Sequence, residues 1–297
     1  MPKRVFDKKF GPDFLDTIPL TPGVYLFWNE AGELLYVGKA KSLRRRLGEY
    51  RRSVRGEKGY KLVHAAASLT WEPCESDLDA SLKEVSLIQT KKPAKNVASA
   101  YHFMYPYLGL KCEANVWWLC YSTKPETLPG YSFFGAFRSR GDTLEFLAAL
   151  RAVLKYLGHE ERGRHPFPAY SFGHAFRRLP EAIVTELQAF LRGESEQFLA
   201  TVFDKLLNHA AARARAAEVK EDLRTLRRFY EAEAQPLGTV IRSTGYAVYP
   251  VPQTDRDPLF LKARFKVAIV VPAAEPSAPS ESPATPVPPS RPEPEKT

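Results

Sequence analysis

The sequence predicts an α+β protein: a small antiparallel three-stranded sheet flanked by helices comes first, then a mixed connector, a helical segment, a small strand-rich end and a Pro-rich tail. Three observations carry this. Two aromatic and apolar runs, Gly23–Phe27 and Leu34–Gly38, are parted by the turn residues Asn29, Glu30, Ala31 and Gly32, the pattern of a hairpin. A third run near Ala67–Glu72 alternates Leu69 and Trp71. Around these runs, other stretches repeat apolar residues at helical spacing. The 297 residues allow two domains at roughly 150 residues each.

Residues 1–17 read as a leader containing Phe10 and Phe14. A four-residue loop at 29–32 sets Phe27 against Leu34 and places Tyr25 directly opposite Tyr36. Ser42 stands where a helix cap belongs, and Leu43, Arg46, Leu47 and Tyr50 stripe one side of a helix over Leu43–Arg52. Ser76 caps a second helix, about Asp77 to Thr90. Its stripe is Leu78, Leu82, Val85 and Ile88, with Glu84 at the edge and Pro93 beyond the end. The first domain is expected over 18–98. A connector over 99–180 holds Tyr101, Phe103, Tyr105, Tyr107, Trp117 and Trp118, then a helix around Thr143–Tyr156. Residues 181–235 read as a helical segment parted by Gly193, and 236–272 as short strands broken at Gly245 and Pro250. Over 273–297, eight prolines in 25 residues predict a disordered tail.

No apolar run approaches the ~18 residues of a membrane span, and no apolar stretch follows the basic amino terminus as in a secretory signal. Cys74, Cys112 and Cys120 lack metal-type spacing, and no cysteine follows Cys120, so no iron–sulfur cluster is expected. These features predict a cytoplasmic protein. The six histidines show no ligand spacing, and there is no Gly-rich phosphate loop, so neither a histidine metal site nor ATP use is expected.

The formal charge is +9; the tail holds four acids and two bases, which leaves +11 on residues 1–272. Ten bases and two acids lie between Lys39 and Lys61, a net +8 in 23 residues. Such a one-signed run predicts a polyanionic partner, with Lys39, Lys41, Arg44, Arg45, Arg51, Arg52 and Arg55 facing its phosphates.

Pro22-Gly23-Val24-Tyr25-Leu26-Phe27, then Leu35-Tyr36-Val37-Gly38-Lys39 through Arg46-Leu47, the helix Ala80–Ile88 and Lys92-Pro93-Ala94-Lys95-Asn96 together resemble the GIY-YIG endonuclease family, in its UvrC/Cho branch. The resemblance covers about Ile18 to Val97. It implies a catalytic set of Tyr25, Tyr36, Lys39, Arg46, Tyr50, Glu84 and Asn96, with Glu84 holding one magnesium or manganese ion. Cutting a phosphodiester needs an activated water and positive charge at the phosphate oxygens. Arg46 would grip the phosphate through its planar fork. Tyr36 is the preferred base, provided that Lys39 and the metal draw its phenol down from an ordinary pKa near ~10.

Tyr105–Leu108 and Tyr131–Phe137 resemble stretches that follow the nuclease domain in that branch. Phe190–Gly193 with Ala216–Leu223 is similar to the helical hairpin by which the branch contacts the helicase subunit UvrB, although Arg213 and Ala214 replace its aromatic–glutamate pair. The resemblance implies damaged duplex DNA as substrate, and UvrB, with UvrA upstream, as partners in nucleotide excision repair. Lacking a second nuclease domain, the chain is expected to make one incision, the 3′ one. The alternatives are a stand-alone GIY-YIG nuclease of mobile-element or restriction type and a DNA-binding accessory protein without catalysis.

Overall fold

The computed structural model describes residues 4–96, 100–161 and 167–267; the Pro-rich tail and His165 lie outside the described residues. The expected leader is built into the first core. Helix α1 (Val5–Phe10) presents Phe6, 2% exposed, whose ring meets Phe10 at 4.9 Å and Phe14 at 6.0 Å. Arg51 clamps Asp7 of α1 at 2.6 Å, and the Lys9 ammonium donates to the carbonyls of His64 and Ala66.

Strands β1 (Gly23–Trp28) and β2 (Leu34–Ala40) form the expected hairpin. Helices α2 (Leu43–Arg52) and α3 (Lys58–Ala65) follow, then β3 (Ser68–Pro73) and α4 (Asp77–Lys91). The sheet is antiparallel in the order β2-β1-β3. One face packs Tyr25, Phe27, Leu43, Leu47, Tyr50 and Leu62 against α1, α2 and α3; the other sets Val37 against Ile88 of α4.

Two expectations fail locally. The register is offset by two residues: Tyr25 pairs with Gly38 and Phe27 with Tyr36. Asn29 N donates to Glu33 O, and Asn29 Oδ1 accepts from Glu33 N, so Asn29 leaves the expected loop and closes on Glu33; a bulge then absorbs Leu35. An even offset preserves the pleat, so Tyr25 and Tyr36 stay on one face as diagonal neighbours, with ring centres 6.3 Å apart. Ser42 occupies the N-cap of α2, but its side chain makes no cap bond. The first N–H groups of α2 are instead taken by carbonyls of the preceding loop, Leu43 N by Thr21 O and Arg44 N by Pro19 O. Ser76 does cap α4, accepting from Asp79 N at 3.0 Å.

The second body is a five-stranded sheet with helices on one face. Its strands are β4 (Tyr107–Glu113), β5 (Val116–Ser122), β6 (Ser132–Gly135), β7 (His159–Glu160) and β8 (Ser171–Arg177), in the order β6-β4-β5-β8-β7. Of the aromatic stretch, Tyr107, Trp117 and Trp118 lie on the β4–β5 hairpin, and Tyr101, Phe103 and Tyr105 precede it. Its two-residue turn, Ala114-Asn115, has φ of 50° and 61°, a conformation whose usual Asn-Gly marker is missing from the sequence. Helix α5 (Arg140–Leu157) covers the sheet, and its Phe146 stacks on Phe229 at 4.1 Å.

The helical segment comprises α6 (Glu181–Leu191), α7 (Gln197–Leu207), α8 (Ala210–Ala214) and α9 (Ala216–Phe229), and a π-turn at Tyr230–Ala234 then leads into α10 (Gln235–Thr244). The expected strand-rich end is helical: α10 is followed by α11 (Gln253–Arg264). The β-branched run Thr239-Val240-Ile241 reads locally as strand, yet Leu237, Val240, Ile241 and Thr244 lie at helical spacing. Leu237 is buried in the second core, with Val240 and Ile241 packed against it. Gly245, φ 68°, is a left-handed helix stop rather than a strand break. Pro258 frees the Thr254 carbonyl inside α11, and Gln89 Nε2 of α4 donates to it at 3.4 Å, joining the two bodies.

Candidate active site

The site is built on β2 and the helices to either side of it. Tyr25 is 1% exposed. Its ring lies flat across β2 because the facing residue is Gly38, where a Cβ would fall 2.4 Å from the Tyr25 ring. The Tyr25 hydroxyl is 3.1 Å from that of Tyr50 and accepts from Arg46 Nε at 3.4 Å. The Arg46 guanidinium lies 5.2 Å over the Tyr50 ring and donates through Nη1 to Glu49 at 2.5 Å. Tyr36, Arg46, Glu49, Tyr50, Ser53 and Lys58 line a cleft of about 230 Å³, and the Lys58 ammonium sits 5.6 Å over the Tyr36 ring.

On the outer side of β2, Glu84 Oε1 accepts from Lys39 N at 3.1 Å. Asn96 Oδ1 accepts from Val37 N and its Nδ2 donates to Val37 O, both at 2.8 Å, while Lys95 N donates to Leu35 O. The Lys39 ammonium is bound to Asp77 at 2.6 Å, and Lys41 stands 3.9 Å from the same carboxylate.

The structure therefore brings Tyr25, Tyr36, Arg46 and Tyr50 together on one face of the hairpin, with Glu84 and Lys39 at its edge. Asn96 stands apart from that face, with its amide hydrogen-bonded to the backbone of Val37. Three of the expected phosphate contacts are committed internally, Lys39 to Asp77 among them. Arg44 donates to the carbonyls of Ile18 and Asp16, and Arg51 to Asp7. Lys41, Arg45, Arg52 and Arg55 are exposed. Sequence reasoning missed Asp77, Glu49 and Lys58; Asp77 stands seven residues before Glu84, two helical turns away on the same side, and that spacing could have found it.

Burial pushes the Glu84 carboxyl up, and the Lys39 N–H and ammonium pull it part of the way back. A hard divalent cation would relieve that burial cost. Among the described residues no cluster of three or more His, Cys, Asp or Glu is arranged around a metal. Glu84, with Asp77 nearby, instead offers the sparse carboxylate set suited to an ion that keeps most of its waters.

The side chains around Tyr36 do not themselves draw its phenol down. Burial first, then Tyr50 and Glu84, push it up to about 12, against the opposing pull of Arg46. The ordinary phenol titrates near ~10, so the raised value means stability that is complete below that pH and is lost as pH climbs through about 12. Tyr36→Phe is expected to remove one late-titrating phenol from an ultraviolet titration and to soften the alkaline fall in Tm; an unchanged curve would refute the burial of this hydroxyl.

Residues 21–97 match the family model for the UvrC-like GIY-YIG domain. The chain is 32% identical over 236 residues to UvrABC system protein C of Pseudarthrobacter chlorophenolicus, covering 73% of this chain and 35% of that protein. For the same protein of Thermus thermophilus the identity is 31% over 236 residues, covering 74% and 39%. The chain thus spans little more than a third of the length of these relatives. The magnesium-bound GIY-YIG N-terminal endonuclease domain of UvrC from Thermotoga maritima is 31% identical, covering 33% of this chain and 100% of that one, with a TM-score of 0.27. Among the described residues no helix is long and apolar enough to cross a membrane. Residues 21–97 are a UvrC-like GIY-YIG domain.

Proposed function

We propose that the chain is a divalent-metal-dependent DNA endonuclease of the UvrC/Cho type that makes the 3′ incision in nucleotide excision repair. The observation that carries this reading is the meeting of two phenols, a guanidinium and a half-buried carboxylate around one strand of a UvrC-like GIY-YIG domain. Arg46 takes the phosphate oxygens, held in place by the Tyr25 hydroxyl and the Tyr50 ring. The Tyr36 hydroxyl orients the attacking water. Glu84 would hold magnesium or manganese, which supplies charge neutralisation at the phosphate when bound. The magnesium in the Thermotoga domain supports the cation, and the UvrABC relatives support damaged DNA as substrate, UvrB and UvrA as partners and a cytoplasmic place of action.

The test is incision of an end-labelled duplex carrying one bulky adduct, with magnesium or manganese, with and without UvrA and UvrB. One cut 3′ to the adduct that needs UvrB supports the reading. Cutting of undamaged or branched DNA without those partners reassigns the chain to the stand-alone nucleases, and binding without any cut reassigns it to an accessory protein.

Only the exposed part of the basic run should contribute to the salt dependence of binding. Neutralising Arg45 and Arg52 is expected to flatten the slope of log K against log salt by about two units, roughly 0.9 per lost contact. Arg51→Ala should leave the slope alone and lower stability, because its partner is Asp7. A slope indifferent to Arg45 and Arg52 would remove this helix from the DNA interface.

A further inference from the structure

We propose that Glu49 is an internal stand-in for the phosphate, occupying a donor edge of Arg46 that DNA must take and thereby weakening substrate binding until it is displaced. This rests on the reading of Arg46 as the phosphate ligand. A guanidinium grips an oxyanion bidentately through either of two in-plane edges, Nε with one terminal nitrogen or the two terminal nitrogens together. Both edges of Arg46 have a donor engaged: Nε donates to Tyr25 at 3.4 Å and Nη1 to Glu49 at 2.5 Å. The guanidinium carbon also lies 5.2 Å over the Tyr50 ring, a third contact that holds the group in this orientation.

The two partners differ in how readily they yield. Tyr25 is buried in the core, whereas the Glu49 side chain is 42% exposed and can swing into solvent. Glu49 also lines the same cleft as Tyr36 and Lys58, so its charge stands where a phosphodiester approaches and offsets one of the two cations there. An ordinary i,i+3 pair on a helix surface stabilises the helix slightly and has no bearing on DNA. A competitor for Arg46 affects ligand binding, and only through Arg46.

The experiment uses the full chain in a Glu84→Gln background, so that binding of a short duplex is read without cutting. Glu49→Gln is expected to tighten binding about fivefold, the scale of releasing one exposed ion pair and one repulsion, and to steepen its salt dependence. The gain should vanish when Arg46→Ala is added. With Glu84 intact, KM should fall by a similar factor while kcat stays within about twofold, the split expected for relief of competition at the ground state.

Unchanged or weaker binding by Glu49→Gln, with binding still impaired by Arg46→Ala, overturns the role of Glu49 alone. A gain that survives Arg46→Ala is a diffuse charge effect and also overturns it. Intact binding by Arg46→Ala overturns the assignment of Arg46 as phosphate ligand, and Glu49 falls with it.

Discussion

Glu84→Gln is expected to abolish cleavage, by 10³-fold or more, without lowering the melting temperature. The activity loss follows from removing the charge that would hold the cation, since metal and electrostatic stabilisation is the largest single contribution to such reactions, on the order of 10²–10³ for even one preorganised donor. The stability argument runs the other way. Burial raises the Glu84 carboxyl, so at neutral pH the folded protein bears the cost of keeping it ionised; its stabilising contribution is full only below the ordinary carboxyl pKa and is lost as pH rises through the folded value. A glutamine keeps the acceptor for Lys39 N and sheds that cost. Thermal unfolding at pH 7 should therefore give a Tm equal to or above wild type, with DNA binding retained. A variant that loses activity and Tm together would make Glu84 a structural residue.

Glu233→Ala is expected to cost about 3–5 kcal/mol, the usual penalty for removing one partner of a buried ion pair. Glu233 is 5% exposed, accepts from the N–H groups of Arg138 and Ser139 at 2.6 and 3.0 Å, and lies 3.8 Å from Arg256, itself 5% exposed. Its loss uncaps the start of α5 and leaves the Arg256 guanidinium with Asp257 and the Ala136 carbonyl. For a body of this size the shift is roughly 10 °C. Glu233→Gln, which retains the two backbone bonds, should fall between the variant and wild type. Cutting of small DNA substrates at 25 °C should survive both, because the first core contains neither residue. Equal loss from Gln and Ala would mean that charge, not the backbone bonds, dominates.

Legibility followed the kind of information each feature needs. That Tyr25 and Tyr36 share one face was readable from the pleat, and helices α2 and α4 from their local stripes, whereas the placement of Glu49, Lys58 and Asp77 around them was not. The hairpin register was not: it depends on Asn29 closing on Glu33 and on a bulge at Leu35, which the turn residues 29–32 do not announce. The capping of α2 by Thr21 and Pro19, and the internal ties of Arg44 and Arg51, are tertiary contacts with no local trace. The carboxy-terminal helices were misread because β-branched residues have a local preference that burial in the second core overrides.

Strand β2 is an edge, and four of its backbone groups are taken from outside the sheet: Leu35 O by Lys95, both polar groups of Val37 by Asn96, and Lys39 N by Glu84. A bare edge of this kind is a template for pairing with another chain. Glu84 and Asn96 thus also serve colloidal hygiene: they keep the active strand from recruiting a second molecule. Asn96→Ala or Glu84→Ala should self-associate at concentrations where Glu84→Gln, which keeps its acceptor, stays monodisperse.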